Sequence, residues 1–275
     1  MRTAAIVALT ATLATSTGCF ENREPLTTGE ALQALEEAAV SSQASNLVSG
    51  SIEITTDFTI GGAVESAAEE IRTFVETQLP CAEVTVTGPL LEIEYGAKPG
   101  NCEYRGHTYS GTHAIEVEAN EEGNVIVSHR WDELSNGLVS VTGDATVTWS
   151  LSEQSRRVEH ELTWTSLTSD VSGTGSGDRT QTALNGNLAE GIQVDGERGW
   201  TGQRGTWTLD IDAVQMRWAD PVPQSGTYTL VNPDDKRMTL SFERLDGDTI
   251  TVTIAGTKRS FSFDVTAAGQ IGEGA

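Results

Sequence analysis

Val139-Ser-Val-Thr-Gly-Asp-Ala-Thr-Val-Thr-Trp-Ser-Leu151 is followed, after a short polar break, by Val158-Glu-His-Glu-Leu-Thr-Trp164. In the first stretch Val139, Val141, Ala145, Val147, Trp149 and Leu151 share one face, and Val158, His160, Leu162 and Trp164 repeat the pattern in the second. A period of two sends alternate side chains to opposite faces of a strand. At ~3.4 Å per residue the first stretch reaches about 45 Å, unless Gly143 marks a bulge. Two long strands in succession, each apolar on one side only, belong to an antiparallel sheet with one wet face.

The same alternation continues outward in both directions. Upstream, Leu91, Ile93 and Tyr95 alternate with Glu92 and Glu94, and Ile115 and Val117 with Glu116 and Glu118. A turn at Glu121 to Asn124 then leads into Val125, Val127, His129 and Trp131. Downstream the chain ends in a meander: Tyr228 and Leu230; Met238, Leu240 and Phe242; Ile250, Val252 and Ile254; Phe261, Phe263 and Val265. Asn185-Gly186, Asp195-Gly196 and Asp246-Gly247 are hairpin signals. Ser172 to Gly177 reads as a linker or a long hairpin loop. The expected fold is all-β, mainly antiparallel, as a sandwich or an open half-barrel of long strands, with two short N-terminal helices. The β domain is expected over 81–268, with a disordered tail at 269–275.

Residues 27–80 read as a helix–strand–helix preface packed on the sheet. Thr27-x-x-Glu30 is a capping box, and Leu32, Leu35, Ala39 and Val40 follow at helical spacing up to Ser42. Ile52, Ile54, Phe58 and Ile60 alternate with polar residues and predict a strand. Val64, Ala68, Ile71, Val75 and Leu79 form one helical stripe opposite Glu65, Glu69, Arg72 and Glu76, and Pro80 ends it.

The chain has 275 residues with 17 Lys+Arg against 40 Asp+Glu, a net charge of −23. That balance excludes nucleic acid and anionic lipid surfaces as electrostatic partners, because both need a basic face. Met1-Arg2, the apolar run Ala4 to Ala14 and the small residues before Cys19 have the layout of an export signal over 1–18. About eleven apolar residues are too few to span a bilayer. The ending Ser16-Thr-Gly-Cys19 resembles the lipobox of bacterial lipoproteins, with Ser16 where the family usually carries Leu. The resemblance implies a lipid-modified Cys19, a tether over 19–26 and a membrane contact through that anchor. Phe20 instead of Asp after the Cys implies the outer membrane, on either side of it. The other reading is ordinary signal cleavage near Ser16, which gives a soluble exported chain. With Cys19 lipidated, Cys81 and Cys102 remain as an even pair in an oxidising compartment, and a structural disulfide is expected.

No catalytic constellation is expected, and no metal or cofactor. Glu92/Glu94, Glu116/Glu118, Glu159/Glu161 and Asp210/Asp212 are carboxylates two apart, ~7 Å along a strand, as in inverting glycosidases. Four such pairs, each opposite an apolar row, read instead as the wet face. Asp210-Ile-Asp-Ala-Val-Gln215 faintly resembles the acidic strand of β-glucan-cleaving jelly rolls, but Gln215 stands where that family has its acid/base. The shift to Val214, Met216 and Trp218 predicts a bulge near Ala213. His160 and His129 lie in apolar rows, where a packed histidine is the commoner outcome. His107 and His113 would make a metal site only if a hairpin joined them. There is no HExxH, GxSxG, phosphate loop or DxDxDG loop.

Of six Trp, Trp149, Trp164 and Trp207 fall on apolar faces. Arg198-Gly-Trp-Thr-Gly-Gln-Arg204 reads as a Gly-rich turn. Its Trp200 either folds back on its own sheet or, with Arg198 and Arg204, contacts a glycan or protein. The whole resembles the β-rich lipoproteins of Gram-negative bacteria, which implies a non-catalytic binding or structural role. A second resemblance is to the open half-barrels of periplasmic lipoprotein carriers, where a concave sheet face holds acyl chains beneath helices. It implies a carrier of lipid or another apolar ligand; a void above about 300 Å³ under the two helices would support it, and a filled core would remove its motivation.

Overall fold

The computed structural model describes residues 24–59, 64–104, 106–119, 125–150, 153, 155–169, 171–186, 190–217, 220–247 and 249–266. The expected export signal with Cys19, Ile60, the expected turn at 121–124, Leu151, Trp218 and the expected tail at 269–275 lie outside them. Two helices come first, α1 (Thr28–Thr59) and α2 (Val64–Gln78). The strands are β1 (Glu83–Thr87), β2 (Leu90–Tyr95), β3 (Glu103–Tyr104), β4 (His107–Thr108), β5 (Ser110–Ala119), β6 (Val125–Ser135), β7 (Val139–Ser150) and β8 (Ser155–Ser166). They continue as β9 (Ser172–Ala183), β10 (Ile192–Gly202), β11 (Gly205–Arg217), β12 (Asp220–Val231), β13 (Arg237–Arg244), β14 (Thr249–Gly256) and β15 (Arg259–Thr266).

Thirteen of these strands form one antiparallel meander, and β3–β4 is a separate small hairpin. The edge strands β1 and β15 do not pair with each other, so the sheet stays open. The apolar rows read from the sequence face inward and make one core, from Leu91 and Ile93 through Val141, Val147 and Trp164 to Ile250 and Val265. The acidic pairs face out. Cys81 and Cys102 are bonded, with Cα atoms 5.4 Å apart, and fasten the entry to β1 onto the segment before β3.

The largest departure from the sequence reading is α1, a helix that runs unbroken to Thr59 through the segment expected as a strand. Its start is the expected capping box: Thr27 N donates to Glu30 Oε2 at 2.9 Å, and Glu30 N to Thr27 Oγ1 at 3.3 Å. Beyond it, α1 touches β6 and β7 and also β12. Five strand spacings separate β7 from β12, about 24 Å on a flat sheet, and a 32-residue helix, about 48 Å long, reaches across all of them. Between Ala31 and Ile54 only Glu36 is exposed. A helix enclosed on all sides carries no solvent-facing polar stripe, so the alternation at Ile52 and Ile54 was free to imitate a strand.

Three smaller corrections concern the strands. Ser172 to Gly177 is neither linker nor loop but the first half of β9, paired with β8 and β10. Asp195-Gly196 is no hairpin: it lies within β10, where the pairing with β11 shifts between Val194 and Gly196. Asn185-Gly186 and Asp246-Gly247 do join consecutive strands. Gly143 is not itself a bulge, because β7 pairs with β8 without a slip; the bulge lies across from it in β6, where Glu133 has φ 51°. The expected bulge at Ala213 is present, with φ 49° and a slip between Asp212 and Gln215.

Candidate functional site

Beneath α1 the inner face of the sheet changes from hydrocarbon to charge. β8 sends Arg156 inward opposite Gln181 of β9, and Arg156 Nε donates to Gln181 Oε1 at 2.6 Å. Two residues before Gln181 on the same face stands Arg179. β10 adds Arg198, whose cross-strand neighbour is Gly177. His160 flanks Gly177 from β8. A Cβ on Gly177 would sit 2.5 Å from His160 Cε1 and 3.1 Å from Arg198 Cβ, so glycine is what lets those two side chains converge. Arg156, Arg179 and Arg198 are 1%, 4% and 6% exposed.

The helix answers this charge unevenly. Glu53 pairs with Arg156. Arg198 donates through Nη1 to the Ser41 carbonyl at 3.2 Å and Ser45 Oγ at 3.0 Å, and through Nη2 to Ser42 Oγ at 2.8 Å. Its guanidinium carbon lies 5.8 Å from the Trp200 ring centre and 5.7 Å from that of Tyr228. Among the described residues Arg179 reaches His160 Nδ1, at 3.5 Å. Among the described residues no carboxylate pairs with Arg179 or Arg198, and the Nε of each, with Gln181 Nε2, has no hydrogen-bond partner. Burial, reinforced by the charges of Arg198 and Arg156, lowers the Arg179 pKa to about 9. Burial and the arginines Arg179 and Arg198 push His160 down to about 2, so it is neutral.

A second buried polar chain runs beside this one. Tyr95 OH lies 3.4 Å from His113 Nδ1, and His113 Nε2 lies 2.9 Å from His129 Nδ1, with Trp131 stacked on both rings. Burial holds both histidines neutral, His129 at about 3 and His113 well below its usual value. His113 is thus taken up in a histidine pair, while His107 packs against Tyr109. Among the described residues no group of three or more His, Cys, Asp or Glu is placed to hold a metal ion.

On the outer face, the acidic pairs line up across strands. Glu159, Asp178, Glu197 and Asp210 stand directly opposite one another on β8, β9, β10 and β11. The adjacent row is Asp144, Glu161, Ser176, Gly199 and Thr208. Small residues in the middle and acids around them leave two adjoining grooves of about 540 and 580 Å³. Arg157 relieves the repulsion at one point. Its Nε and Nη2 donate to the two Asp178 oxygens at 2.8 and 2.5 Å, and the bond holds that carboxyl below its usual range.

Trp200 is not displayed. The chain turns only at 203–204, and Trp200 lies within β10, 2% exposed, opposite Trp207 and donating to Glu37 Oε2 at 3.3 Å. Arg198 is turned inward beneath α1, and only Arg204 reaches the surface, against Glu36 at 3.2 Å. Trp149, Trp164 and Trp207 are core, as expected. Sequence reasoning missed Arg156, Arg179 and Gln181. The signal for Arg156 was its phase with Val158 and His160; β9 had none, because its inward positions are glycines, Arg179 and Gln181. Compared with known protein families, curated proteins and solved structures, the chain matches none of them.

Proposed function

We propose that this chain is an exported, non-catalytic binding protein, held at the outer membrane through lipid on Cys19. The observation that carries the reading is the Cys81–Cys102 bridge. It joins both cysteines other than Cys19 and suits an oxidising compartment. The outer groove over β7–β11, with its Ser, Thr and Gly floor and acidic walls, offers a surface for a polar partner, glycan or protein. The test is expression of the full chain and of Cys19→Ser in a Gram-negative host, followed by fractionation and mass spectrometry of the N-terminus. The reading expects the parent chain in the membrane fraction, starting at a lipid-bearing Cys19, and the variant released. Parent and variant that both run as unlipidated soluble chains would overturn the anchor.

A carrier of apolar ligand is the second reading, and one observation favours it. α1 occupies the hollow that a cargo would need, and beside the apolar contacts of Leu35, Leu47, Val48, Ile52 and Ile54 it meets the sheet through hydroxyls and charges: Ser41, Ser42 and Ser45 on Arg198, Ser51 on Trp131 Nε1, and Glu53 on Arg156. Such a seat can exchange its hydrogen bonds for water when the helix moves, which a hydrocarbon seal cannot do. The grooves of 540 and 580 Å³ lie on the other face of the sheet. Native mass spectrometry on detergent-free protein separates the readings. An added mass of lipid size, lost on denaturation, favours the carrier, and a bare chain favours the outer groove.

A further inference from the structure

Two guanidiniums inside the molecule, Arg179 and Arg198, have no carboxylate on them among the described residues. A buried charge of this kind is costly unless something of opposite sign completes it. The helix does not complete it. Glu53 is engaged by Arg156, and Glu37 faces Trp200 Nε1 and, at 3.8 Å, Arg204. The patch therefore sets three cations against one directly paired carboxylate. Among the described residues Arg179 Nε, Arg198 Nε and Gln181 Nε2 have no hydrogen-bond partner.

These donors come from one sheet face. Arg179 and Gln181 are two apart on β9, ~7 Å along the strand; Arg198, opposite Gly177 on the next strand, is about 8 Å from Arg179 on the diagonal and about 14 Å from Gln181. Only long side chains can close such separations, and guanidiniums drawn together from rigid strands suit a multi-oxygen anion and not a single lone pair. The phenol of Tyr228 lies against Arg198, and neutral His160 can take a proton-bearing oxygen without adding charge. The wall around the patch is apolar: Val158, Leu209, Ile211, Trp200 and Leu230.

We propose that Arg179, Arg198 and Gln181 form an oxyanion-binding site, taking a carboxylate or phosphate that enters along the seam between α1 and the sheet. The apolar wall suits the chain of an amphiphile whose headgroup lies on the arginines, and a free anion offers those arginines the same chemistry. The proposal goes beyond the export reading and stands whether or not Cys19 is lipidated.

The test is isothermal titration of the full exported chain, purified in chloride buffer without phosphate, using dodecanoate, dodecanol and inorganic phosphate as probes. Each titration is repeated on Arg179→Met, Arg198→Met and Gln181→Leu. Binding of dodecanoate but not dodecanol, weakened about tenfold or more by each arginine change, supports the site and assigns it to an amphiphile's headgroup. Binding of phosphate with the same losses supports it and assigns it to a free anion. The methionine variants remove a buried charge together with its solvation cost, so their folding, read by circular dichroism, is expected to persist. Should either fail to fold, Gln181→Leu decides alone, with several-fold weaker binding expected. A parent chain that binds neither anion overturns the proposal, as does affinity unchanged in the folded variants.

Discussion

Arg156 and its neighbour Arg157 show how one position along a strand decides the worth of a charge. Arg157 points outward, holds Asp178 and Glu159 in solvent, and contributes ~1 kcal/mol or less. Arg156 points inward to Glu53, and there the pair is worth little net, while breaking it is costly. Glu53→Gln is therefore expected to lower unfolding free energy by about 3 kcal/mol in urea titrations, and Arg156→Met with Glu53→Leu by clearly less. Equal losses would mean that the pair is solvated. Gly177→Ala should cost about 1–3 kcal/mol by driving His160 out of place, although alanine suits a strand better than glycine. At this scale the sequence was half legible. His129 and His160 announced their burial by sitting among Val and Leu; Arg179 and Gln181 did not, because glycines stand where apolar neighbours would have set the phase.

Elements were legible in proportion to how one-sided their surroundings are. β5 to β8 and β12 to β15 each have one wet face and one dry, so alternation located them. β9 contacts bulky side chains from its neighbours, and Gly173 would put a Cβ 2.7 Å from the Trp164 ring. Its glycines make room for Trp164 and His160, and a strand shaped by what its neighbours need looks like a loop in its own sequence. α1 failed for the opposite reason, being dry on nearly every side. Two element-level tests follow from the contacts that were legible. Thr27→Ala removes the reciprocal cap of α1 and should cost ~1 kcal/mol. Cys81→Ser with Cys102→Ser opens a loop with a sequence separation of 21 and should cost about 3 kcal/mol, measured against the reduced parent chain as control.

At the scale of the whole molecule, an acidic shell surrounds an interior that excludes protons, and the two respond to acid in opposite ways. Lowering the pH neutralises part of the −23 charge and so relaxes repulsion over the acidic surface. Inside, His113, His129 and His160 are held neutral, with folded pKa values below the ~6.5 of an unfolded histidine. A depressed folded pKa means that the unfolded chain binds the extra proton. The histidine contribution is thus fully present above pH ~6.5 and is lost as pH falls toward about 3. Within that window each histidine can remove up to ~1.4 kcal/mol per pH unit. Salt separates the two effects, because it screens the exposed carboxylates and leaves the buried rings unscreened. In ~0.5 M NaCl, urea midpoints are expected to fall steadily between pH 7 and pH 5. His160→Gln should flatten part of that slope without altering the m-value. In low salt, relief of surface repulsion offsets some of the loss and the slope is shallower. A midpoint independent of pH across that range in high salt would show that the rings accept protons in the folded state, and that water reaches the seam beneath α1.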